Sequence, residues 1–164
     1  NRCLAVNPSD TAPALVALNA KMKTTKRTVE AGDFFDVAPE RTTVLEADEI
    51  LTEIQVPLTK PETKSAFLKY AFRKVIDFAI VNCAIVLTRE KGVIRESRIC
   101  LNAVHNLPYR PTKAEEYLKN RSIDESVAEE ASQKALEDSK PLKDNKYMVP
   151  IARGLIKQAL LKVG

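Results

Sequence analysis

The stretch that decides the fold is SAFLKYAFRKVIDFAIVNCAIVLT, residues 65–88, which the turn Glu90-Lys91-Gly92 closely follows. Large and β-branched side chains make residues 67–73 and 80–88 typical of strands, and the pattern resumes over residues 93–104. Two strands joined by so short a turn cannot run parallel. The last two strands are therefore predicted to pair antiparallel, and the first is expected to pair with them in the same way.

Helical patterns follow these strands instead of alternating with them. The pair Thr112 and Glu115 has the spacing of a capping box, and so does the pair Ser122 and Glu125, so two helices are predicted to begin there. Residues 148–159 repeat apolar side chains at three- and four-residue spacing, which predicts a helix lying on the sheet. Strands followed by helices indicate α+β architecture.

The first third of the chain mixes strands with one helix. Ser9 or Asp10 is predicted to cap a short helix that continues to Leu18. Residues 21–29 are polar and β-branched, which favours a surface strand, and residues 53–56 alternate as a second strand does.

A polar segment without periodicity, residues 58–64, is the predicted linker between two units. Residues 1–57 form the first unit, which is too small to bury much surface alone. Residues 65–164 form the second unit.

Composition excludes several classes of function. The chain has 164 residues, is 45% apolar, and lacks the run of roughly 20 apolar residues that a membrane span needs. Its net charge of +4 comes from interleaved signs, which argues against nucleic-acid binding. The three cysteines are widely separated and no secretory signal precedes them, so a reducing cytoplasm is the predicted location.

Signatures of hydrolytic and zinc enzymes are absent from the sequence. His105 is the single histidine, and its place after a predicted strand favours a polar surface role. The four glycines are too isolated to form a loop that cradles phosphates. The start of the helix at Ser9 and Asp10 is the one place where an anion or a sugar hydroxyl could be met, although capping alone explains both residues.

Residues 69–78, KYAFRKVIDF, interleave three cations with three aromatic side chains and one aspartate. Such a stretch could stack on a planar ring and stabilise negative charge, on a nucleobase or on a reduced flavin. A strand with one solvated face is the alternative reading of the same residues. Cys83 and Cys100 lie in predicted strands and are expected to be core residues, whereas Cys3 is at most one ligand of an iron-sulfur set.

An ordered set of segments carries a family resemblance along nearly the whole chain. The segments are CLAVNPSDTAPALVALNAK (residues 3–21), DFF (33–35), TTVLEADEILTEIQVP (42–57), residues 65–88 and LKDNKYMVPIARGLIKQAL (142–160). Together they resemble the medium, FAD-binding subunit of molybdenum hydroxylases, the group that includes xanthine dehydrogenase, carbon monoxide dehydrogenase and 4-hydroxybenzoyl-CoA reductase.

The resemblance implies a fold. Residues 1–57 are expected to be the end of an α/β FAD-binding lobe, and residues 65–164 a C-terminal domain with a three-stranded antiparallel sheet and about three helices. Both glycine-rich phosphate loops of the family would lie upstream, which would account for the shortage of glycine.

The resemblance also implies FAD-binding residues. Asp10 resembles the acidic residue that hydrogen-bonds the polar chain of the flavin, and Leu51 resembles an apolar neighbour of the isoalloxazine. Lys69 is similar to the lysine near the pyrimidine edge of the ring, where a cation would stabilise negative charge. Asp77 and Phe78 look like the loop beside the ring.

The implied function is that of an oxidoreductase subunit of xanthine dehydrogenase type. FAD would pass electrons between iron-sulfur clusters and NAD or another carrier. The implied partners are a large subunit that binds molybdopterin and a small subunit with 2Fe-2S clusters. Some members hold a 4Fe-4S cluster in this subunit, and Cys3 is a candidate ligand for it. The alternative is a non-catalytic assembly module that cannot bind FAD as an isolated fragment.

Overall fold

The computed structural model describes residues 5–38, 40–74 and 76–164. Within residues 5–56 the chain forms short elements around one small sheet and one hairpin. In chain order they are α1 (Thr11–Ala17), β1 (Lys21–Thr24), β2 (Thr28–Glu30), α2 (Ala31–Phe34), β3 (Phe35–Ala38), β4 (Arg41–Thr43) and β5 (Leu51–Gln55). The small sheet has the order β2-β1-β5, and both of its pairs are antiparallel.

The second part of the chain is a three-stranded sheet followed by helices. The strands are β6 (Thr63–Tyr70), β7 (Val81–Glu90) and β8 (Val93–Asn102), and the helices are α3 (Thr112–Leu118), α4 (Glu125–Lys134) and α5 (Met148–Val163). The sheet has the order β6-β7-β8, and each neighbouring pair is antiparallel. The prediction of an α+β fold with a three-stranded antiparallel sheet is therefore confirmed.

Three strand predictions need correction. Residues 21–29 form a hairpin of β1 and β2 instead of one surface strand. β6 begins at Thr63, so the last two residues of the predicted linker are already paired. β6 also ends at Tyr70, whose carbonyl accepts the backbone N–H of Ile80 at 2.8 Å. That hydrogen bond closes a loop, so residues 71–73, which had the composition of a strand, lie outside the sheet.

The central strand β7 is buried on both faces, and the two faces pack against different parts of the chain. On one face lies the larger apolar cluster, where α3, α4 and α5 cover the sheet; β7 contributes Val81, Cys83, Ile85 and Leu87 to it. On the other face Ala84 and Val86 pack into a smaller cluster with residues of α1, β1 and α2. Alternation of side chains along a strand explains the division. A continuous apolar run without polar alternation is the expected sequence for such a doubly covered strand.

Neither predicted capping box forms. Pro111 occupies the N-cap position of α3 and makes no side-chain cap, while the carboxylate of Glu115 accepts the Ile99 backbone N–H at 2.8 Å. In α4 the N-cap is Asp124, whose side chain accepts the Val127 N–H at 2.7 Å, so the cap lies two residues beyond Ser122 and the helix begins at Glu125. Both helices exist, but tertiary contact and a competing cap replace the local hydrogen bonds that were predicted.

Among the residues that the structure describes, no helix combines the length and apolar character needed to cross a bilayer.

Candidate functional site

A row of polar side chains crosses the sheet near the end of β6. Lys69 of β6 pairs in register with Asn82 of β7, and Asn82 pairs with Asn102 of β8. Alternation places all three on the face of the sheet that packs against α1. Two of the three, Asn82 and Asn102, are 0% exposed. Because buried amides are costly without hydrogen bonds, their partners indicate what this part of the sheet holds in place.

Asp10 lies over this row at the start of α1. Although it occupies the N-cap position, its side chain makes no cap; the hydroxyl of Ser9 accepts the Ala12 N–H at 3.1 Å instead. The Asp10 carboxylate is thereby free to face the sheet. Its Oδ2 accepts from Lys69 Nζ at 2.5 Å, and its Oδ1 accepts from Asn82 Nδ2 at 2.9 Å.

Asn102 holds the chain segment that carries Asp10. Its Nδ2 donates to the backbone carbonyl of Ser9 at 2.7 Å and to Oδ1 of Asn7 at 3.1 Å. Asn82 Nδ2 also approaches the Ser9 carbonyl, at 3.4 Å. Oδ1 of Asn82 and Oδ1 of Asn102 accept no hydrogen bond from any of the described residues. The two amides therefore act on the Ser9-Asp10 segment as donors.

The loop between β6 and β7 closes the other side of Lys69. Lys69 Nζ donates to the backbone carbonyl of Asp77 at 2.6 Å. The Asp77 carboxylate accepts from the Arg73 guanidinium at 3.2 Å, from the Arg73 N–H at 3.0 Å and from the Phe78 N–H at 3.0 Å. The Arg73 side chain, followed by the Arg73 N–H, holds the pKa of Asp77 below its ordinary value. The Arg73 pKa is raised by the same pairing, so both groups are charged at neutral pH.

The arrangement suits a planar ligand that has hydrogen-bond acceptors along one edge. The Lys69 ammonium has three N–H groups, and the described contacts occupy two of them. The Lys69 side chain is 27% exposed, so the remaining donor can reach a ligand. Phe72 and Phe78 of the neighbouring loop are 83% and 75% exposed and can contact an aromatic face.

The predicted site residues divide into two groups. Asp10, Lys69 and Asp77 lie together, and Phe78 follows directly in the same loop. Leu51 lies in β5, where it packs against the smaller apolar cluster, and no described contact joins it to Lys69.

Three further predictions concern other residues. Cys3 lies outside the described residues, and in the described part of the chain no three His, Cys, Asp or Glu side chains group to hold a metal ion. His105 is exposed, and its Nδ1 accepts the Leu107 N–H at 3.1 Å, which agrees with a polar surface role. Cys83 and Cys100 are buried thiols, as predicted; burial raises the pKa of Cys100 to about 12.

Asn82 and Asn102 are not among the predicted site residues, although the sequence carries a signal for them. Each interrupts an apolar strand segment, VNCAIVL in β7 and ICLN in β8. A polar side chain in a strand that is otherwise buried on both faces must find a partner, and so it marks a contact. The two amides lie opposite each other only because of the register between β7 and β8. The sequence alone does not predict that register.

Comparison with known proteins places the chain in a class. Residues 66–163 match the CO dehydrogenase flavoprotein C-terminal domain family, and residues 1–59 match the FAD binding domain in molybdopterin dehydrogenase. The fold is thus that of a flavoprotein subunit of molybdenum-containing dehydrogenases. More particularly, the chain belongs to the CO dehydrogenase flavoprotein C-terminal domain family, and so to the FAD-binding subunits of the molybdenum hydroxylases.

Individual relatives support the same class. The carbon monoxide dehydrogenase medium chain of Hydrogenophaga pseudoflava is 28% identical over 139 residues, which are 82% of this chain and 47% of that protein. The xanthine dehydrogenase FAD-binding subunit of Escherichia coli O157:H7 is 31% identical over 98 residues, 59% of this chain and 34% of that one. The crystal structure of quinoline 2-oxidoreductase from Pseudomonas putida 86 matches 97% of this chain and 57% of its own, with 28% identity and a TM-score of 0.83. This chain spans about half the length of such relatives or less.

The described residues fit one half of an FAD molecule. A cation with a spare donor beside exposed aromatic side chains fits the polar edge and face of the ring. The same region does not fit the pyrophosphate, because the Asp10 carboxylate occupies the start of α1 and would repel it. The isolated glycines of the sequence supply no alternative cradle.

Proposed function

We propose that this chain forms the ring-contacting part of an FAD site, through which electrons pass between iron-sulfur clusters and NAD or another carrier. The proposed partners are a molybdopterin-binding large subunit and a small subunit with 2Fe-2S clusters, in the cytoplasm. The names of the relatives support this assignment at the level of the class. Those names include carbon monoxide, xanthine and quinoline enzymes, so a xanthine dehydrogenase type of activity is a finer proposal than they support.

The observation that carries the proposal is the geometry around Lys69. Its ammonium is held between the Asp10 carboxylate and the Asp77 carbonyl, at the edge of the sheet and next to exposed aromatic side chains. When bound, FAD supplies the exchange of electrons, and its reduction adds negative charge at the pyrimidine side of the ring. A cation fixed beforehand at that position stabilises the charge without reorganising.

Other residues have proposed roles around this cation. Asp10 would orient Lys69 and accept a hydrogen bond from the polar chain of the cofactor. Asp77 and Phe78 would form the loop beside the ring, with Arg73 holding Asp77 in its charged form. Leu51 would contact the ring from β5, a role that no described contact with Lys69 supports directly.

Two further proposals concern organisation. Residues 1–57 would be the end of an α/β FAD-binding lobe, and residues 65–164 a C-terminal domain, with 58–64 between them. The described packing joins these units, because Ala84 and Val86 of β7 lie in one cluster with residues of α1 and β1. Cys3 remains a candidate ligand of a 4Fe-4S cluster.

Replacement of Lys69 tests the proposal. In the complete enzyme, Lys69→Ala should lower the midpoint potential of the flavin, because the reduced ring loses a fixed positive charge while the oxidised ring loses little. Spectroelectrochemical titration of the flavin absorbance measures the potential, and the absorbance at full oxidation measures the FAD content.

Lys64→Ala is the matched control. Lys64 is an exposed lysine of the same strand, five residues and roughly 17 Å earlier, so its removal changes the net charge equally without touching the site. Intact FAD content together with a potential equal to that of the parent would rule out the role given to Lys69.

A further inference from the structure

Asn82 makes a contact that the function proposed above does not assign. Its side chain is 0% exposed, and its Nδ2 donates to Oδ1 of Asp10 at 2.9 Å. The other oxygen of the same carboxylate accepts from Lys69 Nζ. Each carboxylate oxygen of Asp10 therefore has its own partner in the sheet, one neutral and one cationic.

Because one oxygen of Asp10 binds Asn82, only the other oxygen pairs with Lys69. This limits how far the Asp10 carboxylate offsets the positive charge of Lys69. A carboxylate with a free second oxygen can rotate and offer both oxygens to an ammonium, which brings its charge closer. The Asn82 amide opposes that rotation, because a rotated carboxylate would no longer accept the hydrogen bond from the buried Nδ2 of Asn82. Lys69 then keeps one hydrogen bond from Asp10 and one from the Asp77 carbonyl, and its third N–H remains directed away from both.

An amide is the suitable group at this position for a second reason. A carboxylate of the same shape would place two negative charges at hydrogen-bond distance, and one of them would have to take up a proton. Asn82 donates this hydrogen bond without carrying a charge of its own. A 180° flip of the amide would also lose hydrogen bonds, since Nδ2 faces two acceptors, Asp10 Oδ1 and the Ser9 carbonyl.

We infer that Asn82 is a positioning residue for the Lys69 cation: by holding one oxygen of Asp10, it keeps the ammonium available to the redox ligand and so raises the ligand's reduction potential. This inference rests on the proposed FAD function. Asn82 touches no cofactor itself and acts through Asp10 and Lys69.

Asn102 provides the control that separates positioning from stability. It is equally buried, it lies opposite Asn82 on β8, and it holds the same chain segment through the Ser9 carbonyl and the Asn7 side chain. No hydrogen bond joins it to Asp10 among the described residues. Removing either amide should therefore loosen the Ser9-Asp10 segment, but only removal of Asn82 releases the carboxylate.

The experiment compares Asn82→Ala, Asn102→Ala and Lys69→Ala in the complete enzyme by redox titration of the bound FAD. Asn82→Ala should lower the flavin potential in the same direction as Lys69→Ala and by a smaller amount, while Asn102→Ala, which leaves both oxygens of Asp10 hydrogen-bonded, should shift it less than Asn82→Ala does. The double variant Asn82→Ala/Lys69→Ala should match Lys69→Ala alone, because the amide acts through the lysine.

A second variant keeps the test decisive if Asn82→Ala fails to fold or loses FAD. Asn82→Asp has the same shape, and its new carboxyl can donate to Asp10 only when protonated. Its flavin potential should approach that of the parent at acid pH and fall below it as the pH rises, in addition to the ordinary pH dependence of the parent.

The outcomes separate the two levels of proposal. If Lys69→Ala leaves the potential unchanged, the proposed function of the cation is rejected, and the role of Asn82 is rejected with it. If Lys69→Ala lowers the potential while Asn82→Ala and Asn82→Asp do not, only the role of Asn82 is overturned. An equal shift in Asn102→Ala would also overturn it, because the effect would then belong to the Ser9-Asp10 segment as a whole.

Discussion

The two faces of β7 are built from alternate residues of one strand and have different tasks. Toward α3, α4 and α5 the strand presents an unbroken apolar row. Toward α1 it presents a short apolar centre, Ala84 and Val86, with Asn82 at the end nearest Lys69. The first face gains stability from burial and packing. The second gives up part of that gain to hold a carboxylate and a cation in a defined geometry.

The difference shows how a strand that is buried on both faces can still carry part of a candidate site. Both faces of β7 are buried, so a polar residue on either face needs a hydrogen-bond partner. The helix face contains none in β7, whereas on the α1 face Asn82 faces Asp10, which a neighbouring segment supplies. Burial of the amide thus depends on the packing of residues 5–56 against the sheet, and the site exists only when the two parts of the chain are together.

The largest expected effect on stability comes from a substitution on the face of β7 that packs against α3, α4 and α5. Ile85→Ala should reduce the free energy of unfolding by about 2–5 kcal/mol, because it leaves a cavity in the larger cluster. The neighbouring substitution Val86→Ala removes two methyl groups from the α1 face, and the expected cost is about 1–2 kcal/mol. Urea unfolding of the two variants, followed by circular dichroism, measures both values.

An equal loss in the free energy of unfolding for Ile85→Ala and Val86→Ala would contradict the difference drawn between the two faces of β7. It would mean that the α1 face contributes as much to stability as the helix face and that the polar row costs little. Ile85→Val calibrates the scale, since removal of a single methylene should cost about 1 kcal/mol if the cavity term is ordinary.

The second prediction concerns the stability of the protein at acid pH. Glu49 accepts from the Arg27 guanidinium, from the Thr24 hydroxyl and from the Glu46 N–H. These donors, the Arg27 side chain first, lower the pKa of Glu49 from 4.5 to about 2. A group with a lowered pKa in the folded state stabilises it above the unfolded pKa and loses that contribution as the pH falls through the folded value.

Stability carried by Glu49 should therefore be complete above about pH 4.5 and disappear toward pH 2. Hydrogen exchange between pH 5 and pH 2.5 should show the amides of β1 and β5 losing protection before those of β7, because Glu49 anchors the small sheet on the α1 side. Glu49→Gln is the control, and its β1 amides should lack the protection that the parent loses on acidification. An identical pH dependence in the two proteins would remove Glu49 as the cause.

Sequence patterns predicted the large elements because their signals are repeated over many residues. The paired strands β7 and β8 follow from an apolar run, a short turn and a second run, and α5 follows from its regular spacing. The capping boxes at Thr112 and Ser122 were wrong because each rests on two residues. In α3 the tertiary hydrogen bond from Ile99 to Glu115 replaces the cap, and in α4 Asp124 takes the position instead.

The site divides in the same way. Lys69 and Asp77 are close in sequence, so a compositional cluster of cations and aromatics pointed to them. Asp10 had two readings, as a cap and as a ligand contact, and its geometry excludes the cap because Ser9 accepts the Ala12 N–H. To predict the contact of Asn82, one must know which residue lies opposite Lys69 and which segment packs over it. That information belongs to the tertiary fold, not to any local pattern.

The smallest expected effect concerns the two loops at the ends of β7. Lys91 and Gly92, in the turn to β8, have φ angles of 52° and 83°, as the type I′ turns of hairpins require. Ile76, in the loop before β7, has a φ of 45°, which is strained for a β-branched residue. The first turn has a glycine at one of its two positive-φ positions, whereas the second places a β-branched residue with positive φ next to Asp77, whose carbonyl accepts from Lys69.

Ile76→Gly should therefore raise the free energy of unfolding, although by no more than about 1.5 kcal/mol. The strain relieved is about 1–2 kcal/mol, and the greater freedom of glycine in the unfolded chain returns about 0.5–1 kcal/mol of it. Burial hardly enters, since Ile76 is 94% exposed. Gly92→Ala is the opposite control: an added Cβ meets no atom within 4 Å, yet the φ of 83° should make the variant less stable. Urea unfolding of both variants decides the matter. A loss of stability in Ile76→Gly would show that the isoleucine side chain makes a contact worth more than its strain, and the loop would then be a packed element of the site instead of a strained one.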